Sequence, residues 1–91
     1  MSHDNKYCIY LLECRDGSYY CGITTDMDHR LKQHNEGTAS RYTRGRTPVT
    51  VLARTGNCYS KSMALKFERQ IKKCPKHRKP FMVTIITKKG E

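Results

Sequence analysis

The chain has 91 residues, enough for one modest hydrophobic core but not for two, and its 36% hydrophobic and 29% charged content excludes a disordered chain. The formal net charge of +10 is unevenly spread: residues 1–40 carry four basic and six acidic side chains, net −2, whereas residues 41–91 carry fourteen basic and two acidic ones, net +12. A single domain of this size must therefore show one basic face, which suits nucleic acid. A basic membrane-surface helix is excluded because no segment joins a Lys/Arg face to a bulky apolar one.

The polar start Met1-Ser2-His3-Asp4-Asn5 lacks the apolar region of a secretory leader, and the stretch from Phe81 to Ile86 is far shorter than the roughly 20 residues of a spanning helix. Five cysteines (Cys8, Cys14, Cys21, Cys58, Cys74) are odd in number and show no paired C-x-x-C spacing. Buried thiols in a reducing, intracellular compartment are expected rather than a disulfide framework. Cys74-Pro75-Lys76-His77 reads as half a zinc site with no second half in view.

Tyr7 to Cys14 and Tyr19 to Thr24, separated by Arg15-Asp16-Gly17-Ser18, predict a β-hairpin. A two-residue Asp16-Gly17 turn would put Tyr10 and Tyr20 on opposite faces. A three-residue Arg15-Asp16-Gly17 loop with Gly17 left-handed opposes Cys14 to Ser18, puts Tyr10 and Tyr20 on one face, and gathers Tyr7, Ile9, Leu11, Tyr19, Cys21 and Ile23 on the other. The second register is preferred because it collects the core residues.

Thr25 or Asp26 caps a first helix that Gly37 ends, with Met27, Leu31 and His34 spaced along one stripe and Arg30 one turn before His34. Thr38 to Pro48 reads as a loop carrying Arg41, Tyr42, Arg44 and Arg46, and Val49 to Arg54 as a third strand. A second helix runs from about Ser60 to Lys73, with Ala64, Phe67 and Ile71 inward. Pro75 suits the first turn of a further short helix, and Met82 to Ile86 is β-branched enough to read as strand or helix. The order β-β-α-β-α-(α) predicts an α+β fold: a small three-stranded antiparallel sheet flanked by helices, a single domain over residues 1–91 with its core at about 6–80.

Glu68 is the one acidic residue between Glu36 and Glu91, and it falls on the apolar stripe of the second helix at Ala64 + 4 and Ile71 − 3. Such a carboxylate either pairs with a neighbouring lysine or arginine, or holds a metal ion that works on a polyanion.

Cys8-Ile9-Tyr10, Tyr20-Cys21-Gly22, then Arg30, His34, Tyr42 and Glu68 resemble the signature of the GIY-YIG nuclease superfamily. The runs Leu11-Leu12-Glu13-Cys14, Asp16-Gly17-Ser18, Gly22-Ile23-Thr24-Thr25-Asp26 and Tyr42-Thr43-Arg44-Gly45-Arg46-x-Pro48 resemble its small stand-alone branch, similar to the nuclease domain of structure-selective endonucleases. The match covers roughly residues 6–80. Taken singly, Tyr10 and Tyr20 read as half-buried strand tyrosines, His34 as a core histidine, Arg30 as a partner of Asp26 or Glu36, and Tyr42 as loop packing. Their order and placement together carry the resemblance. The chain departs from the family in having Cys8 and Cys21 within the two triplets and no asparagine after Asn57.

The resemblance implies Tyr10 as general base, its phenolate favoured by a cationic, metal-containing site, with Tyr20 orienting water or phosphate. It implies Arg30 on the scissile phosphate, His34 assisting proton transfer or phosphate binding, Tyr42 completing the pocket, and Glu68 as sole protein ligand to Mg²⁺ or Mn²⁺. Arg41, Arg44, Arg46, Lys61, Arg69, Lys72 and Lys73 are the expected nucleic-acid contacts. The expected activity is metal-dependent hydrolysis of DNA phosphodiesters, selected by structure (branched, flapped or nicked DNA) in repair or recombination. Nothing in the sequence separates DNA from RNA. The rivals are a catalytically silent nucleic-acid-binding module and a subunit active only with a partner protein.

Overall fold

The computed structural model describes residues 6–90. They run β1 (Cys8–Glu13), β2 (Tyr19–Thr24), α1 (Met27–Glu36), α2 (Arg41–Arg44), β3 (Thr50–Arg54), α3 (Lys61–Lys73), a 3₁₀ turn (Lys76–Arg78) and α4 (Lys79–Gly90). The strands form one antiparallel sheet in the order β2-β1-β3. This is the expected α+β arrangement of three strands with flanking helices, plus the short helix α2.

β1 is central and buried from Cys8 to Leu12 because both of its faces are covered. Ile9 and Leu11 join Ala64 and Ile71 of α3 and Val83 and Ile86 of α4 on one face. Cys8, Tyr10, Leu12 and Cys14 join Met27, Leu31 and Val49 on the other. A strand buried on both faces loses the polar alternation of a half-exposed one, which is why this segment is almost continuously apolar.

The hairpin takes the three-residue register. Cys14 N–H donates to the Ser18 carbonyl at 2.8 Å, Gly17 lies at φ 85°, and Tyr10 faces Gly22 while Leu12 faces Tyr20. Asp16 Oδ1 accepts from both the Ser18 amide (3.0 Å) and the Ser18 hydroxyl (2.6 Å), which tightens the turn. Between β1 and β3 the register shifts at Leu11/Leu12, so that Leu52 has no opposite partner and stands exposed.

α1 starts at Asp26, whose carboxylate accepts the His29 amide, and stops at Gly37 in the left-handed region at φ 82°. Asn35 locks this helix to the start of β3: its amide donates to the Val49 carbonyl and its oxygen accepts the Val49 N–H at 2.7 Å. α3 starts at Ser60, and its end is capped by the Lys79 ammonium, which donates to the Ile71 and Lys72 carbonyls at 2.8 and 3.1 Å.

Two segments differ from the sequence reading. The 38–48 loop contains α2, a single turn nucleated by Ser40, whose hydroxyl accepts the Tyr42 amide at 3.0 Å. Met82 to Ile86 is helical, because Val83 and Ile86, three residues apart, both turn into the sheet. Burial there outweighs the strand preference of β-branched residues. Pro75 stands at the entrance of the 3₁₀ turn, and Pro80 occupies the first turn of α4, where its missing N–H costs no helical bond.

Candidate active site

Tyr10 points from β1 across β2, over Gly22. A Cβ at position 22 would lie 2.5 Å from the Tyr10 hydroxyl oxygen and 2.6 Å from Cζ, so only glycine allows the ring to lie there. The phenol then reaches α1, with 2.9 Å between Tyr10 Oη and His34 Nε2. His34 Nδ1 lies 2.8 Å from the Thr43 hydroxyl on α2, which in turn donates to the Ser40 carbonyl at 3.4 Å. All three side chains are buried, at 2%, 1% and 0% exposure for Tyr10, His34 and Thr43.

This chain of bonds assigns the proton positions. Thr43 spends its hydrogen on Ser40, so it accepts from His34 Nδ1–H. That leaves Nε2 with a lone pair to accept the Tyr10 hydroxyl. The energetics agree with a neutral pair. Burial pulls His34 down to about 4, with the Arg30 charge adding to the shift. Burial also pushes Tyr10 well above its ordinary value; Tyr20 adds to that, the Arg30 charge opposes it, and Cys21 and Glu68 raise it further.

Arg30, one turn before His34, brings its guanidinium close enough to act on both groups. Its Nε is buried and has no hydrogen-bond partner among the described residues. An unpaired buried guanidinium donor is costly, and an anion is the natural acceptor for it.

Tyr20 lies at the mouth of this core. Its ring centroid is 5.1 Å from His34 and 6.4 Å from Tyr10, and it stacks on Tyr42 at 6.0 Å with 29° between planes. Tyr42 is held in turn by Arg46, whose guanidinium sits 4.1 Å over the ring and donates to the Tyr42 carbonyl at 2.7 Å. The same guanidinium donates to Asp16 at 3.1 Å, tying the hairpin turn to the α2 segment. Asp16 is held below its ordinary value, first by the Ser18 hydroxyl and amide and then by Arg46.

Glu68 on α3 is mostly shielded, with 18% side-chain exposure, and its carboxylate lies 3.7 Å from the Lys72 ammonium one turn on. The ion pair anticipated as one reading of this residue is therefore present. Its charge also reaches the site: it raises Tyr10, and it adds to the burial that pushes Cys21 up to about 12. Among the described residues no three His, Cys, Asp or Glu side chains converge as a metal cage. A Mg²⁺-type ion keeps most of its waters and takes one or two carboxylates plus substrate phosphate, so the donor set fits that kind of ion and not a zinc cage.

Of the expected site residues, Tyr10, Tyr20, Arg30, His34 and Tyr42 come together, and Glu68 is close enough to act on Tyr10 by charge. The basic residues divide. Lys72 lines a cleft with Tyr20 and Tyr42. Arg46 is engaged with Asp16 and Tyr42. Arg41 and Arg44 are exposed on α2, and Arg69 and Lys73 on α3. Lys61 is exposed at the start of α3, about 17 Å along the helix axis from Lys72. Two residues carry more than their sequence context suggested: Thr43, which sits in the Tyr42-Thr43-Arg44 run without an assigned part, and Lys79, which lines the cleft.

The fold is that of a nuclease-type family. Residues 6–88 match the GIY-YIG catalytic domain, and the chain belongs to that family. The family is divalent-metal dependent in general and implies contact with nucleic acid. The UPF0213 protein VNG_2274C of Halobacterium salinarum is 48% identical over 71 residues, 78% of this chain and 91% of that one. The solution NMR structure of EF2693 from E. faecalis matches with a TM-score of 0.60 at 33% identity, over 94% of this chain and 91% of that one. That of the UPF0213 protein BH0048 from Bacillus halodurans matches with a TM-score of 0.52 at 39% identity, over 88% and 84%. No helix among the described residues is long and apolar enough to cross a membrane.

Proposed function

We propose that the chain is a Mg²⁺- or Mn²⁺-dependent endonuclease that hydrolyses DNA phosphodiester bonds, choosing branched, flapped or nicked DNA by structure, in repair or recombination. The observation that carries this reading is the buried Arg30 Nε, without a hydrogen-bond partner among the described residues, beside the Tyr10–His34 hydrogen bond. A scissile phosphate supplies the acceptor that this donor lacks.

The Tyr10 hydroxyl donates to His34 and keeps its oxygen lone pairs for a water. As the water oxygen bonds to phosphorus, its proton passes to Tyr10 Oη and the phenolic proton to His34 Nε2, while the P–O bond to the leaving nucleoside oxygen breaks. That oxygen departs with the bond's electron pair and takes a proton from bulk water, and His34 returns its own proton to solvent. Because burial keeps Tyr10 protonated at rest, the base works through this relay rather than as a standing phenolate. An anionic phosphate at Arg30 offsets the guanidinium charge that depresses His34, which raises its readiness to take the proton. Arg30 then faces the charge that develops on the phosphoryl oxygens. Tyr20 orients water or phosphate, and Tyr42 walls the pocket. Glu68 would hold the metal ion, which when bound supplies Lewis-acid stabilisation of a phosphoryl oxygen. Buried thiols at Cys8, Cys14 and Cys21 suit a reducing, intracellular compartment.

A second reading has its own observation. The Lys72 ammonium beside Glu68 suits a basic module that binds nucleic acid without cutting it. The two are separated by incubating purified protein with branched, flapped, nicked and linear DNA in Mg²⁺, Mn²⁺ or EDTA. The nuclease reading expects metal-dependent cutting of the branched forms, lowered about 100-fold or more in Tyr10→Phe and Arg30→Ala. Cutting by both variants at the parental rate would remove it.

A further inference from the structure

A cleft of about 250 Å³ opens beside these residues, lined by Tyr19, Tyr20, Cys21, Tyr42, Lys72 and Lys79. Neighbouring side chains on a strand point to opposite faces of the sheet. A cleft lined by Tyr19, Tyr20 and Cys21 together therefore lies against the edge of β2, and β2 is an outer strand. The hairpin register shows which backbone groups face that edge. Cys14 and Ser18 form a hydrogen-bonded pair, so by alternation Leu12–Tyr20 and Tyr10–Gly22 are hydrogen-bonded pairs too. The intervening residues Tyr19 and Cys21 turn their N–H and C=O groups outward, away from β1.

Three kinds of contact thus meet in one small space. The stacked Tyr20 and Tyr42 rings give flat aromatic surface. The edge of β2 gives peptide donors and acceptors. Lys72, 53% exposed at its side chain, and Lys79, pinned to the Ile71 and Lys72 carbonyls, give positive charge at the rim. We propose that this cleft binds one unpaired nucleobase of a DNA strand, next to the phosphate held by Arg30. The base stacks on tyrosine, its hydrogen-bonding edge meets the outward peptide groups of Tyr19 and Cys21, and its flanking phosphates meet the lysines. The volume is below the range of about 300–1,000 Å³ typical of drug-sized ligands, which suits a small planar group such as a single base. A paired base has its edge already occupied, so the cleft accepts DNA where pairing has been lost. The inference rests on the nuclease reading of the same site and deepens it: a need for one unpaired base beside the cut is a physical basis for selecting branched or flapped DNA.

The test compares thymidine oligomers with sugar–phosphate oligomers of equal length that carry no bases, by fluorescence anisotropy in EDTA. The phosphates are the same, so any difference reports the bases. The parent protein is expected to bind the thymidine oligomer about 5- to 100-fold more tightly. Tyr42→Ala should bring the two close to equal, and Tyr42→Phe should keep the difference. Circular dichroism of each variant verifies that the fold persists. Equal binding by the parent, or an undiminished difference in Tyr42→Ala, overturns the cleft assignment. Tighter binding of a uridine ribo-oligomer than of the thymidine oligomer overturns DNA as the strand. Cleavage of branched DNA in Mg²⁺ is read separately: cutting with no base preference refutes the cleft alone, and base preference with no cutting refutes the nuclease reading alone.

Discussion

Alanine at position 22 would place a methyl carbon 2.5 Å from Tyr10 Oη, 2.6 Å from Cζ and 3.1 Å from Cε2. The phenol cannot swing clear at low cost, since it is buried between Tyr20 and His34 and bonded to Nε2. Overfilling such a site costs about 1–3 kcal/mol, which in a domain of this size lowers Tm by about 4 °C or more. The displaced hydroxyl also loses its place on His34, so cleavage should fall together with stability. The cause is isolated by a double-mutant cycle with Tyr10→Leu, because leucine lacks the Oη, Cζ and Cε2 atoms that would meet the new methyl. Urea unfolding of the four proteins should show Gly22→Ala costing about 1–3 kcal/mol beside tyrosine and close to nothing beside leucine. An equal cost in both backgrounds, or no cost beside tyrosine, would refute the account of why this position is glycine.

Three other outcomes follow from the same geometry. Thr43→Val removes the acceptor for His34 Nδ1–H, so stability should fall by about 1–3 kcal/mol and cleavage should fall with it, while Thr43→Ser restores both; unfolding and cleavage assays of the pair decide it. His34 is held neutral when folded, with its value lowered to about 4 against an ordinary 6.5, so the unfolded chain binds the extra proton first. Its contribution is whole above about pH 6.5 and is lost as pH falls toward 4, a change of roughly 3 kcal/mol that should be absent from the urea-unfolding pH profile of His34→Gln. Lys79→Met takes the ammonium from the Ile71 and Lys72 carbonyls and should lower stability by about 1–2 kcal/mol in urea unfolding; parental stability would show that α3 does not depend on that cap.

What could be read from the sequence was what local chemistry decides. Gly17 and the two-residue period of the strands set the hairpin register, and so the shared face of Tyr10 and Tyr20. Asp26 and Gly37 marked both ends of α1, and the spacing of Met27, Leu31 and His34 placed the histidine inward. What stayed hidden depends on partners far along the chain. Arg46 counts as a free phosphate contact until Asp16, thirty residues away, is seen to hold it. Thr43 is one more polar loop residue until His34 comes to meet it. Met82 to Ile86 has strand-forming side chains, and only contact of Val83 and Ile86 with the sheet makes it a helix. Of the six candidate site residues, Tyr10, His34, Tyr20 and Tyr42 meet by direct contact, and Arg30 and Glu68 act on Tyr10 by charge. The place of Glu68 remained ambiguous in the sequence because Lys72, its ion-pair partner, and the tyrosine it acts on both lie within reach of the same helical stripe.

The most direct test of the central claim is cleavage of branched DNA by Glu68→Gln in saturating Mg²⁺, with binding of the same DNA measured in EDTA. Glutamine keeps the shape of the side chain and removes its charge. The account predicts that binding is retained while cleavage drops by about 100-fold or more. Cleavage by Glu68→Gln at the parental rate would contradict it.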